Sequence, residues 1–169
     1  MSRDKFYNGG AYARSARGSG NNTATAGGTG DNTEVNGAYQ SRMSDKGIAL
    51  SAKLVISYTA TLAAGATLTF AANFQDALAA AGTGVADYGD LVPATVVATG
   101  DSGGSTETGT FEIDVDLSGA REFIRAQVTP NLSASGTDTC AWHMDYIFFG
   151  DHHQPLTKSP VNIGSADKI

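Results

Sequence analysis

Residues 111–117 read Phe-Glu-Ile-Asp-Val-Asp-Leu, and in them every odd-numbered side chain is apolar and every even-numbered one is a carboxylate. An extended chain turns successive side chains to opposite faces, so this pattern describes a strand with one buried and one wetted face. The same period recurs upstream, where Leu50, Ala52, Leu54, Ile56, Tyr58, Ala60 and Leu62 alternate with Ser51, Lys53, Val55, Ser57, Thr59 and Thr61. After the turn-forming Ala63-Ala64-Gly65, Leu68, Phe70 and Ala72 alternate with Thr67, Thr69 and Ala71, which predicts a second strand hairpinned onto the first.

Further strands are predicted at Leu91–Thr99, rich in β-branched residues, at Phe123–Thr129 after the Ser118-Gly119 turn, and at Thr139–Phe149. In the last, Cys140, Trp142, Met144, Tyr146 and Phe148 share one face while Ile147 and Phe149 make the other partly apolar, so it should be central or covered on both sides. The stretch from Phe74 to Ala81 satisfies both strand and helical spacing. The polar loop Gly100–Gly109 separates two strands. Six to eight strands with turn signals between them predict an all-β fold, an antiparallel sandwich of jelly-roll type spanning residues 46–150.

Residues 1–45 differ in kind. From Asn8 to Gly37 they are almost wholly Gly, Asn, Thr, Ala and Ser, with Val35 the one branched aliphatic, too little apolar surface to offset ordering entropy alone. They read as an extended arm laid along a neighbouring subunit, anchored by Phe6, Tyr7, Tyr12, Arg14, Arg17, Tyr39 and Arg42. Residues 151–169, with Pro155 and Pro160 and no periodicity, read as an extended tail.

Charge narrows the function classes. The formal net charge is −6; residues 1–47 hold six Lys/Arg against four Asp/Glu, and the remainder five against thirteen. An acidic body with no basic cluster argues against a nucleic-acid partner. Met1–Phe6 carry no secretory signal and no apolar run approaches the ~20 residues of a membrane span, so the expectation is a soluble chain made in a cytoplasm, without a membrane partner. Cys140 is the single cysteine and reads as a small buried hydrophobe.

Candidate chemistry is thin. Glu112, Asp114 and Asp116 line one strand face and could contribute to a Ca²⁺ site, but a solvated face is the simpler reading. Asp151-His152-His153 has metal-ligand residue types, yet adjacent residues of an extended segment point apart. Ser102 in the GDSGG loop resembles the serine surroundings of trypsin-like proteases, but His143, His152 and His153 all follow it in the chain, against the order of that family. The Gly-rich stretches Gly27–Gly30 and Gly100–Gly104 lack the Lys-Ser/Thr ending of a phosphate loop, and the Asn21 and Asn131 glycosylation triplets matter only in a secretory pathway. No catalytic residues, metal site or cofactor are assigned.

The stretches LSAKLVISYTATLAAGATLTFAANFQDA and FEIDVDLSGAREFIRAQVTPNLSASGTD, separated by the polar glycine loop, resemble small virion structural proteins of tailed bacteriophages over residues 48–140. The resemblance implies a capsid decoration or cement protein of the virion, made in a host bacterial cytoplasm. Its termini would lash together subunits of the major capsid protein or other virion proteins, and its copies would form trimers or dimers. A carbohydrate- or receptor-binding sandwich, with Tyr88 or Tyr39 stacking on sugars, is the alternative; a hydrolase using His143 and Asp145 is a more distant one.

Overall fold

The computed structural model describes residues 13–45, 47–134 and 136–150. Its strands are β1 (Ala13–Arg17), β2 (Asn22–Thr25), β3 (Val35–Asn36), β4 (Gln40–Ser41), β5 (Met43–Ser44), β6 (Gly47–Ile48), β7 (Ser51–Leu62), β8 (Thr67–Ala77), β9 (Ala86–Asp87), β10 (Val92–Thr99), β11 (Ser105–Asp116), β12 (Phe123–Leu132) and β13 (Thr139–Phe149). One sheet runs β1-β13-β7-β11, with β2 continuing the line of β1 along β13. The other runs β10-β8-β12-β3, with β4 also on β12 and β9 on β8. Short β5 and β6 form a separate ribbon.

Counting β1 with β2 and β3 with β4 as single interrupted strands, and leaving aside the two-residue β5, β6 and β9, gives eight, and the chain passes between the sheets in the order of a jelly roll: first, eighth, third and sixth in one, second, seventh, fourth and fifth in the other. The all-β antiparallel sandwich read from the sequence is the fold observed, and all its inter-strand pairings within the two sheets are antiparallel.

The inward rows meet in one core. Leu54 and Ile56 of β7, Leu68 and Phe70 of β8, Ile124 and Val128 of β12 and Met144 of β13 are fully enclosed. Phe70 meets the edge of Trp142 across the sandwich at 5.5 Å between centroids, and Tyr146 stacks on Phe148 at 5.7 Å. The Tyr146 hydroxyl accepts the backbone N–H of Ala126 from the facing sheet, so its burial leaves that oxygen satisfied and pushes the phenol's pKa up. Burial likewise raises the Cys140 thiol to about 12. Tyr58 reaches the other sheet by donating to the Val97 carbonyl at 2.6 Å. Gly109 makes this possible, since a Cβ there would stand 2.7 Å from the Tyr58 hydroxyl.

Three sequence expectations change. The β7 and β8 strands are not a hairpin: β7 pairs with β11 and β13, β8 with β10 and β12, and the turn at 63–66 carries the chain from one sheet to the other. Alternation is identical for a hairpin and for facing strands, so only the partners of each backbone distinguish them. Phe74–Ala77 continues β8 rather than starting a helix. The polar loop shortens to 100–104 because Ser105–Thr110 extend β11.

Residues 13–45 depart most from the arm expectation. They supply the first two strands of the jelly roll: β1 and β2 pair with β13, and β3 and β4 pair with β12. The domain therefore begins before residue 46. The segment's backbone hydrogen bonds to strands already buried, and Ala24 and Ala26 are its small contribution to the core. Residues 1–12 and the tail 151–169 lie outside the described residues. No helix among the described residues is long and apolar enough to cross a membrane.

Candidate interaction surfaces

Four of the expected partner-gripping residues are described, and each is engaged within this chain. Arg14 projects inward from β1 with its guanidinium 4.4 Å above the Phe148 ring, and its Nη2 donates to the Ser41 carbonyl at 3.0 Å. Arg17 caps the β1–β2 turn, donating to the Ser19 carbonyl at 2.6 Å and to Asn21 Oδ1 at 3.1 Å. Arg125 lies 4.7 Å above the Tyr39 ring. Arg42 exchanges backbone bonds with Glu122 and Ala49 and donates its Nη1 to the Leu117 carbonyl. Arg14, Tyr39 and Arg42 thus stitch residues 13–45 to the rest of the sandwich, while Arg17 braces the segment on itself. Phe6, Tyr7 and Tyr12 fall outside the described residues.

The outer face of the β1-β13-β7-β11 sheet divides along its strands. At one end the cross-strand rows are Thr106–Thr61–Thr139–Thr25, then Thr108–Thr59–Ala141–Thr23, then Thr110–Ser57–His143. Residues paired across an antiparallel ladder share a face, so eight exposed threonines pave this half, and its three rows contain no Asp, Glu, Lys or Arg. A shallow depression lined by Asn21, Asn22, Thr23, Ser57, Thr59 and His143 borders it.

The other half is charged. Glu112, Asp114 and Asp116 stand in a row on β11, as the alternation predicts, and all three are exposed. Lys53 on the neighbouring strand places its ammonium 3.0 Å from Glu112 and 2.8 Å from Asp114, occupying the position between them, and these hydrogen bonds raise the lysine's pKa. Asp116 turns to its own backbone, accepting the Ser118 N–H at 2.8 Å, which lowers its pKa. Among the described residues no three His, Cys, Asp or Glu side chains converge as metal ligands.

The serine and histidines noted in the sequence do not come together. Ser102 occupies the tight turn closed by Gly104 N–H to the Asp101 carbonyl, at the end of the sheets, whereas His143 stands mid-strand on the outer face, 3.4 Å from Asp145. His152 and His153, with Asp151, lie outside the described residues.

The β10-β8-β12 sheet carries a polar network that sequence reading missed, because its members come from four separate segments. Asn73 donates to Asp87 and to Gln127, both at 3.1 Å; Gln75 donates to Asp87 at 2.9 Å and accepts from Arg125; Gln127 donates to Glu34 and Asn36, each at 2.7 Å. The bonds from Gln75 and Asn73 hold Asp87 below the usual carboxylate range. Tyr88 donates its hydroxyl to the Asp116 carbonyl at 2.8 Å, and the Tyr39 ring lies under Arg125. The signal for the network is visible only as polar residues at alternate positions of β8 and β12.

The sandwich is also uneven along its rim. Among the described residues strand β11 pairs on one side only, with β7 in unbroken register from Ser105 to Asp116. Its inward residues Phe111, Ile113 and Val115 are only partly buried, while their β7 partners Ile56, Leu54 and Ala52 are enclosed. The first and last strands meet at one corner, where Ala13 at the start of β1 pairs with Phe149 at the end of β13.

No family model matches the chain, and no curated protein matches it either. Among solved structures, a chain in a structure of infectious bursal disease virus Gt strain aligns over 85% of this chain at a TM-score of 0.40 and 11% identity. The alignment spans 34% of that viral chain.

Proposed function

We propose that this protein is a non-enzymatic structural component of a virion that binds an assembled shell and stabilises it, its terminal segments bridging neighbouring subunits of the major capsid protein in the manner of a decoration or cement protein. The observation that carries the reading is the pairing of Ala13 with Phe149: the first and last strands of the sandwich meet there, so residues 1–12 and 151–169 attach to it at one corner. A rigid body with two adjacent tethers is suited to straddling a joint between subunits. The resemblance to tailed-phage virion proteins points the same way. Jelly rolls serve viral capsids, lectins and cupins alike, so the fold by itself does not select among them.

A protein that binds only the assembled state shifts assembly toward it by mass action. The test is co-sedimentation of the purified chain with phage capsids that lack it, comparing the intact chain with deletions of residues 1–12 and of 151–169. Cutting at residue 45 would be uninformative, since it removes four strands from the two sheets. Binding by the intact chain that weakens on either terminal deletion is the expected result; failure of the intact chain to sediment with any such shell overturns the proposal.

A further inference from the structure

The edge of β11, unpaired among the described residues, combines three features. It offers twelve residues in continuous register with a single neighbour. Its outer side carries Glu112, Asp114 and Asp116 against the one ammonium of Lys53. Its inner side leaves Phe111, Ile113 and Val115 incompletely covered. The comparable edge β10 is protected differently, by Pro93 and two register shifts in its pairing with β8.

Unpaired strand edges accept an added strand, whose backbone completes the ladder while alternate side chains set the specificity. A strand suited to this edge needs cations at alternate positions on its outer side and an apolar residue next to them on its inner side. A second copy of β11 is the wrong partner, because it would set carboxylates against carboxylates. The chain itself contains a matching segment in Ser2-Arg3-Asp4-Lys5-Phe6-Tyr7: in an extended conformation Arg3, Lys5 and Tyr7 fall on one side and Phe6 on the other, with Asp4 the one residue that the rim must leave in water.

Geometry separates its own edge from a neighbour's. Ala13 lies in the same cross-strand row as Asp116 by way of Phe149 and Ser51, so a strand added beyond β11 would sit four strand spacings from β1, roughly 19 Å. Only residues 8–12 would join it to Ala13, a link of at most ~20 Å when fully drawn out. A neighbouring molecule imposes no such limit.

We propose that the β11 edge is a strand-addition site for residues 2–7 of a second copy of this chain, so that copies are linked through exchanged N-terminal segments. This deepens the bridging role given above to the termini, and it has a separate readout, the self-association of the purified chain in the absence of any shell.

The experiment uses full-length chains in light scattering coupled to size exclusion at low salt. One variant reverses the segment (Arg3→Glu with Lys5→Glu) and the other reverses the edge (Glu112→Lys with Asp114→Lys); all sites on the edge are exposed, and circular dichroism verifies the fold of each. The expected result is self-association of the parent, weakened about tenfold or more in either variant as cross-strand attractions become repulsions, and recovered when the two variants are mixed, because each then meets an edge of opposite sign. A monomeric parent at high concentration, undiminished association in both variants, or a mixture no more associated than its components would each overturn it. Self-association without shell binding would sink the virion role and leave this inference standing; shell binding by a strictly monomeric chain would do the reverse.

Discussion

Strands β13 and β11 are nearly equal in length, 11 and 12 residues, belong to one sheet and both alternate cleanly, yet they live in different environments. In β13 the row Cys140, Trp142, Met144, Tyr146 and Phe148 is enclosed, each residue no more than 2% exposed. In β11 the corresponding row of Phe111, Ile113 and Val115 stays part-exposed. The difference lies in neighbours: β13 has β7 on one side and β1 with β2 on the other, while β11 has β7 alone. Amphipathic alternation thus reports which side of a strand faces the core, and the number of adjoining strands decides how far that side is sealed.

The contrast predicts unequal costs for equal truncations. Trp142→Ala should lower unfolding free energy by about 3–5 kcal/mol in urea titration, the usual toll for emptying an enclosed aromatic site. Phe111→Ala should cost about half as much, because water already reaches part of the ring; equal losses would mean the β11 rim is as closed as the centre.

A smaller effect sharpens the β13 side. Tyr146→Phe keeps the ring but strips the acceptor from the buried Ala126 N–H, so it should cost ~1–3 kcal/mol by the same titration. A neutral outcome would show that another acceptor or a water can reach that amide.

The smallest effect belongs to the wetted side of β11. Lys53→Met removes the ammonium shared by Glu112 and Asp114, and because the pair is surface-screened, the unfolding midpoint should barely move at low salt and not at all at high salt. A large loss there would mean that this end of the face is covered in solution.

Much of this fold was legible from residue order. The boundaries of β13 fall where the alternation places them, at Thr139 and Phe149, and its central position follows from the apolar character of both its faces. The first two strands were not legible. Asn22–Thr25 and Val35–Asn36 contain too few large apolar side chains to signal a strand, since their order is supplied by the ladders of β13 and β12. For the same reason Arg14, Tyr39 and Arg42 looked free to grip a partner: nothing in the linear chain shows that Phe148, Ser41, Arg125 and Leu117 come within reach of them.

By itself, the sequence determined the all-β class, the inward and outward faces of the long strands and the acidic character of β11, because each of these depends on side-chain polarity at a period of two. Tertiary structure alone decided which strands adjoin, that residues 13–45 belong to the sandwich, and that β11 is left with an open edge. Those outcomes depend on backbone hydrogen bonds between distant segments, and every residue except proline offers the same N–H and C=O whatever its side chain.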